Sequence, residues 1–291
     1  MSGNPDNKSL FGFLNIYKPV GMTSHDVVSV LRRVTKIKQI GHTGTLDPFA
    51  EGVLPICIGK ATRLIEYLQD DKEYLATVQF GAATNTFDLD GEKVFTSDKK
   101  VSRDDIKEGL KSFEGEILQL PPIFSAIKVK GKKLYEYARK GEEVEIQPRK
   151  VVIENIELKN FDEELQQAQI LLKCSKGTYI RSIANDLGKN LGCGGYLIKL
   201  IRTQAGKFRV ENSVQLDGID VKSNLTNPLD ILSLPKIAVD NDDLARIKNG
   251  MPIHKTCDKI GNFVSLIYND VEICAVGIAD GEKIKLKKVF I

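Results

Sequence analysis

Asp47 is the side chain around which chemistry could gather in this sequence. It sits within Gly41–Gly59 (GHTGTLDPFAEGVLPICIG), where four glycines and two prolines break up a segment that runs into the apolar stretch Val53–Ile58. Glycine at that density lets the backbone turn tightly, or lets a ligand or a second backbone come close. Pro48 holds the residue before it extended and offers no N–H, so the Asp47 carboxylate is presented from a stiff loop. The same residues would also suit a plain Asx turn, with the carboxylate occupied by neighbouring N–H groups. Arg181 poses the complementary problem. It falls in the first turn of a helix expected from about Thr178, where the dipole favours anions. A buried carboxylate partner would explain it; an exposed surface charge is the alternative. Tyr74 and Tyr179 add aromatic surface with a polar tip, which a core position would use equally well.

The elements that must hold these groups follow from periodicity. Phe11–Ile16 is a short apolar run that ends at the turn Lys18-Pro19-Val20-Gly21. Ser24 reads as an N-cap, with Val27, Val28, Val30, Leu31 and Val34 on the inner face of the helix that follows and Arg32, Arg33 and Lys36 outside. Ala61–Leu68 reads as a helix. Glu73–Phe80 reads as a strand that alternates Tyr74, Ala76, Val78 and Phe80 against Leu75, Thr77 and Gln79. Asp88-Leu89-Asp90-Gly91 starts like a calcium loop but lacks the third acidic position and the closing glutamate, so it reads as a turn. Ser102–Phe113 is a capped helix, with Asp105 completing a capping box. Ala168–Cys174 reads as a strand leading into Ser175-Lys176-Gly177-Thr178, after which Ile180, Ile183, Ala184 and Leu187 face inward from the helix. Residues 213–236, with Pro228 and Pro235, read as helix and linker. Beyond Ile237 come a helix over Asp242–Lys248, capped by Asn241 and ended by Gly250, and short strands at Phe263–Tyr268, Glu272–Ile278 and Lys283–Phe290.

A chain of 291 residues, 42% hydrophobic and 28% charged, reads as a soluble globular protein with room for a large domain and a small one. No apolar run is long enough to span a bilayer, and Met1–Leu10 has neither a signal-peptide nor a transit-peptide layout. The five cysteines are odd in number and far apart, and three histidines cannot complete a zinc set with them. Buried, reduced thiols are expected. The net charge of +3 hides a local excess. Residues 8–63 carry eight basic and three acidic side chains, residues 64–127 seven and thirteen, and residues 128–150 eight and four. Two basic islands fit a polyanion-binding face, although a charge run serves equally as a solvated surface. In the second island Phe124, Tyr135 and Tyr137 lie among the lysines. That mixture suits looped RNA, whose bases stack on rings while amines meet phosphates, and it also suits a hairpin packed on the body.

The stretch GHTGTLDPFAEGVLPICIG resembles the catalytic motif of the TruB-type pseudouridine synthases, which isomerise the T-loop uridine (position 55) of tRNA. The resemblance implies that Asp47 is the nucleophile and that Tyr74, in Lys72-Glu73-Tyr74, stacks on the target base. It implies that Arg181 pairs with the aspartate in a planar, two-point fashion and keeps it ionised. Tyr179 would lie against the nucleotide and is the candidate for the later proton transfer. His42 would occupy the space of the flipped-out base, where a plain loop histidine would only cap backbone groups. Lys18 and Pro19 match the family's Lys-Pro-x-Gly segment, with Tyr17 in place of the usual acidic residue. Leu200 and Arg202 match its Leu-Arg-Arg-Thr strand, with Ile201 in place of the first arginine. Together with Gly44, these four join His42 in the expected substrate-binding set. PPIFSAIKVKGKKLYEYARKGEEVEIQPR resembles the family's thumb-like insertion, which clamps the T-arm. Asn-Gly-Met-Pro-Ile, residues 249–253, resembles the PUA domain, a small RNA-binding β-barrel.

The resemblance thus implies an α+β chain of pseudouridine-synthase fold, with a mixed, largely antiparallel sheet flanked by helices and loops. A catalytic domain would cover residues 1–236, with the thumb over about 123–150, and a PUA-like barrel residues 237–291. The expected partner is tRNA through its T-arm stem-loop, met by a cytoplasmic monomer that uses no cofactor, nucleotide, metal or membrane. Two other readings stay open: a catalytic subunit steered by a guide RNA, and a tRNA-binding or tRNA-folding protein without chemistry.

Overall fold

Alternating and continuous apolar runs assemble into one large mixed sheet. The computed structural model describes residues 10–257 and 260–291; residues 1–9, expected to carry no targeting signal, and residues 258–259 lie outside the described residues. Ten strands make the sheet: β1 (Gly12–Lys18), β2 (Ile40–His42), β3 (Glu51–Ile58), β4 (Lys72–Phe80), β7 (Gly115–Gln119), β10 (Arg149–Asp162), β11 (Gln167–Cys174), β12 (Gly195–Ala205), β13 (Phe208–Arg209) and β14 (Val214–Gln215). Their order is β14-β1-β3-β12-β4-β11-β10-β7, with β2 on β3 and β13 on β12. β1 pairs parallel with β14 and β3 with β12, and the remaining pairs are antiparallel, as expected. Two small hairpins stand outside the sheet, β5–β6 (Ala82–Thr84 and Lys93–Thr96) and β8–β9 (Lys128–Val129 and Lys132–Lys133).

Helices α1 (Ser24–Thr35), α2 (Arg103–Lys111), α3 (Leu134–Lys140), α4 (Ile180–Asn190), α5 (Pro228–Ile231) and α6 (Asn241–Lys248) complete the chain. α2 and α4 bury Ile106, Leu110, Ile183, Ala184 and Leu187 against Tyr74, Ala76, Val78 and Phe80, the inward set of β4. α4 runs so close to β12 that a Cβ on Gly188 would lie 2.1 Å from the Gly195 nitrogen, which only glycine avoids. α1 closes a second core, placing Val27, Val28 and Leu31 on Leu14, Ile16, Leu54 and Ile56. Val34, expected on that face, is exposed, and Thr35 is buried in its stead. Position 34 keeps the helical period with 27 and 31 but falls at the margin of the buried face, whose centre lies between 28, 31 and 35. The N-cap is Thr23, with Asp26 closing the capping box, which corrects the expectation of a cap at Ser24. Residues 59–67 form a 3₁₀ rather than an α-helix. Residues 213–236 contribute β14 and the one-turn α5.

At the C-terminus β15 (Lys236–Ala238), β16 (Phe263–Tyr268), β17 (Glu272–Asp280) and β18 (Lys283–Val289) form a four-stranded sheet in that order. α6 is capped by Asp240 and not by Asn241. Ile253, in the Asn-Gly-Met-Pro-Ile run, bridges Ile284 of β18. One face of this sheet owns a core of Ile247, Ile253, Val264 and Leu266. Its other face sends Ile267, Ile273, Val276 and Phe290 into a core shared with Phe13, Val53, Cys57, Leu64 and Phe208. The described cysteines are all free; Cys57, Cys174, Cys193 and Cys274 are buried, while Cys257 is partly exposed, against expectation. Among the described residues no helix is long and apolar enough to cross a membrane.

Candidate active site

The loop between β2 and β3 carries Asp47, and three side chains from outside hold its backbone. The Ser24 hydroxyl, free of any capping bond, accepts from the Leu46 N–H at 2.8 Å and donates to the Leu46 carbonyl at 3.1 Å. Lys18 Nζ donates to the carbonyls of Pro19 (2.8 Å), Met22 (2.7 Å) and Pro48 (3.4 Å). Arg202 donates from Nε to Val53 O at 2.7 Å, and from Nη1 and Nη2 to Thr45 O and Gly44 O at 3.2 Å each. Both cations are 0% exposed. Lys18 and Arg202, expected in the substrate-binding set, here direct their donors at backbone carbonyls: Lys18 mainly in the turn after β1, with its longest bond to the Asp47 loop, and Arg202 in that loop and in β3. Burial lowers the Lys18 ammonium to about 8, against the pull of Asp47. Gly52 must stay glycine, since its φ is +105° and a Cβ there would sit 2.4 Å from Arg202 O.

Above the loop, the first turn of α4 presents Arg181. Its Nε lies 3.0 Å from Asp47 Oδ2, but the N–H is not aligned on that oxygen, so the contact is an ion pair without a hydrogen bond. Nη1 meets Asp88 Oδ2 at 3.3 Å and donates to Thr86 O at 3.1 Å; Nη2 donates to Phe124 O at 3.0 Å. The guanidinium thus spans two carboxylates, correcting the expected two-point pairing with one. The two acids differ in access: the side chain of Asp47 is 35% exposed and that of Asp88 7%. The sequence reads Asp88 as part of a turn. It is a turn residue as well, accepting from Thr86 Oγ1 at 2.6 Å and Asp90 N at 3.2 Å. Burial pushes its carboxyl above the usual range, opposed by the Thr86 hydroxyl and Arg181.

Asp47, Arg181, Tyr74, Tyr179, Gly44 and Leu200 all line one open pocket of about 400 Å³, with Lys72 and Lys176 also on its wall. That volume is the size of a small-ligand site. Tyr74 comes from β4 and is 7% exposed; burial raises its phenol, and the Arg202 guanidinium opposes the shift. Burial also raises the Tyr179 phenol, opposed by the Ser125 hydroxyl and by Arg181, while the Asp47 charge adds to the rise. His42 ends β2 just outside this wall, half-buried; burial lowers its imidazole, so it is neutral at pH 7. Pro19 does not reach the pocket wall and serves through its carbonyl on Lys18. Besides Asp88, sequence reasoning misses the loop-holding role of Ser24 and passes over Gln119, whose side chain is buried against α4. The need of Arg181 for a carboxylate could have pointed to the acid-rich turn at Asp88; nothing local marks Gln119.

A largely antiparallel sheet with an ion-paired aspartate and two tyrosines in one pocket defines a catalytic protein of the pseudouridine-synthase fold. A chain solved in a Cbf5-Nop10-Gar1 complex has that fold, with a TM-score of 0.72 and 26% identity over 100% of this chain and 91% of that one. Residues 32–180 match the N-terminal domain of the TruB family pseudouridylate synthases, and residues 181–227 the tRNA pseudouridylate synthase B C-terminal domain. The chain is 44% identical to a tRNA pseudouridine synthase B of Caldanaerobacter subterraneus subsp. tengcongensis, over 97% of this chain and 100% of the relative. It is 38% identical to one from Clostridium tetani, over 96% and 99%. The chain belongs to the TruB family of pseudouridylate synthases.

Proposed function

We propose that this protein converts the T-loop uridine of tRNA to pseudouridine, with Asp47 as nucleophile. The observation that carries the reading is the ion-paired Asp47 lining one pocket with Tyr74 and Tyr179, in a chain that shares 44% identity along its length with a tRNA pseudouridine synthase B. The reaction breaks the N1–C1′ bond, turns the uracil, joins C5 to C1′, and moves a proton from C5 to N1. Nothing is oxidised or reduced. It calls for a carboxylate nucleophile, a pocket that keeps the detached base from water, and a group to take the C5 proton.

Asp47 supplies the nucleophile and Tyr74 a ring for the uracil to stack on. The uridine must be extruded from its loop, at a cost of a few kcal/mol, and the neutral His42 ring fills the space it leaves. Tyr179 takes the later proton. At rest its phenol is held up by burial and by the Asp47 charge, while the Arg181 cation works the other way. In this reading residues 1–236 form the catalytic domain and residues 237–291 the PUA-like one. The island at 123–150, where Tyr135 stands within 5.4 Å of the charges of Lys133 and Arg139, clamps the T-arm. The enzyme works as a cytoplasmic monomer.

The test is to map pseudouridine in a T-arm stem-loop after incubation with the pure protein alone. Product at the loop uridine is expected. Product only with an added guide RNA would instead favour the guide-steered reading, and binding without product a tRNA-folding protein.

A further inference from the structure

We propose that Gln119 is a positioning residue for the reaction: its buried amide fixes the backbone of Tyr179, and through it the place of the Tyr179 side chain in the pocket it shares with Asp47. The inference rests on the function proposed above and adds a residue to it. Gln119 is the last residue of β7 and is 2% exposed. Its Oε1 accepts from the Tyr179 N–H at 2.7 Å and its Nε2 donates to the Tyr179 carbonyl at 3.0 Å. A single hydrogen bond would leave the peptide free to swivel; two, to both polar atoms of one residue, fix its orientation. Tyr179 is also the N-cap of α4, and its own side chain makes no capping bond. Gln119 therefore serves this helix end from a neighbouring strand, where a helix otherwise caps itself.

The next residues of the same segment repeat the contact. Ser182 Oγ donates to Leu120 O at 2.9 Å, and Arg181 Nη2 to Phe124 O at 3.0 Å. Residues 119–124 thus brace residues 179–182 at three points, and they lead directly into the basic island at 123–150. Among these contacts the Gln119 amide is the one that reaches Tyr179, and Gln119 does not itself line the pocket.

The experiment measures single-turnover isomerisation and the Kd for a T-arm stem-loop with wild type, Gln119→Ala and Gln119→Glu across pH 5.5–8.5. Gln119→Ala is expected to slow the chemical step about tenfold or more, the penalty of a misplaced catalytic group, with Kd within about threefold of wild type. Gln119→Glu discriminates further. As a neutral acid it keeps one donor and one acceptor, but as an anion it has no donor and turns an oxygen on the Tyr179 carbonyl. Its rate relative to wild type should therefore fall as pH rises. A relative rate flat in pH, or a loss confined to Kd, overturns the proposal. If wild type itself gives no product, the functional reading fails separately. A crystal structure of Gln119→Ala then decides, since the proposal requires Tyr179 to be displaced with β4 and β11 unchanged.

Discussion

Arg181 holds two carboxylates with one planar group, and that demand sets what can replace it. A lysine is a point charge that reaches one of them. Arg181→Lys is expected to slow single-turnover isomerisation by about 100-fold, near 3 kcal/mol of transition-state stabilisation, while leaving the Kd for a T-arm stem-loop within a few-fold. An unchanged rate would contradict the bridging role. Asp88 enters the same account from the buried side, at 3.3 Å from Nη1. Asp88→Asn keeps its hydrogen bonds to the turn and removes its charge, so it is expected to lower the rate and to leave thermal stability close to wild type. Equal loss of rate and stability would make Asp88 a structural residue only.

The loop that carries Asp47 is held from α1, β1 and β12, and the buried cations that hold it have a measurable signature. Lys18 has an ordinary ammonium value of 10.5, lowered by burial to about 8. Between those pH values the unfolded chain binds a proton that the folded chain has released, so this group makes stability rise with pH across that window. Denaturant unfolding of wild type and Lys18→Met should diverge in wild type's favour from about pH 8 to 10.5, by up to about 3 kcal/mol; a pH-independent difference would contradict it. Gly52→Ala, which forces a methyl onto Arg202 O, is expected to destabilise by more than about 2 kcal/mol.

Elements with strong periodicity are legible in the amino-acid order alone: β4 buries the expected Tyr74, Ala76, Val78 and Phe80, and the Ser102–Asp105 capping box starts α2. The pocket group is nameable only because a long loop motif resembles a known family. What stays hidden in the sequence are groups whose purpose lies far along the chain. Asp88 looks like any acidic turn until α4 brings Arg181 to it, 93 positions later. Lys18 and Arg202 look like RNA contacts because a cation in a motif reads as exposed, and only the fold shows both buried and bonded to backbone carbonyls.

Across the whole molecule, the C-terminal sheet is tied to the body by a common core. Phe290 stacks on Phe11 at 5.5 Å, lies under the Arg63 guanidinium at 5.6 Å, and its carbonyl accepts from Lys60 Nζ. Lys288 adds an ion pair to Glu66 at 3.0 Å. Phe290→Ala should cost about 3 kcal/mol in denaturant unfolding, the usual loss for a truncated buried ring. A loss under about 1 kcal/mol would show the two sheets to be energetically independent.

All of this serves one carboxylate. Single-turnover isomerisation of a T-arm stem-loop by Asp47→Asn, measured beside its Kd, tests that most directly. Binding within a few-fold of wild type and no pseudouridine is the predicted result; turnover near the wild-type rate would contradict it.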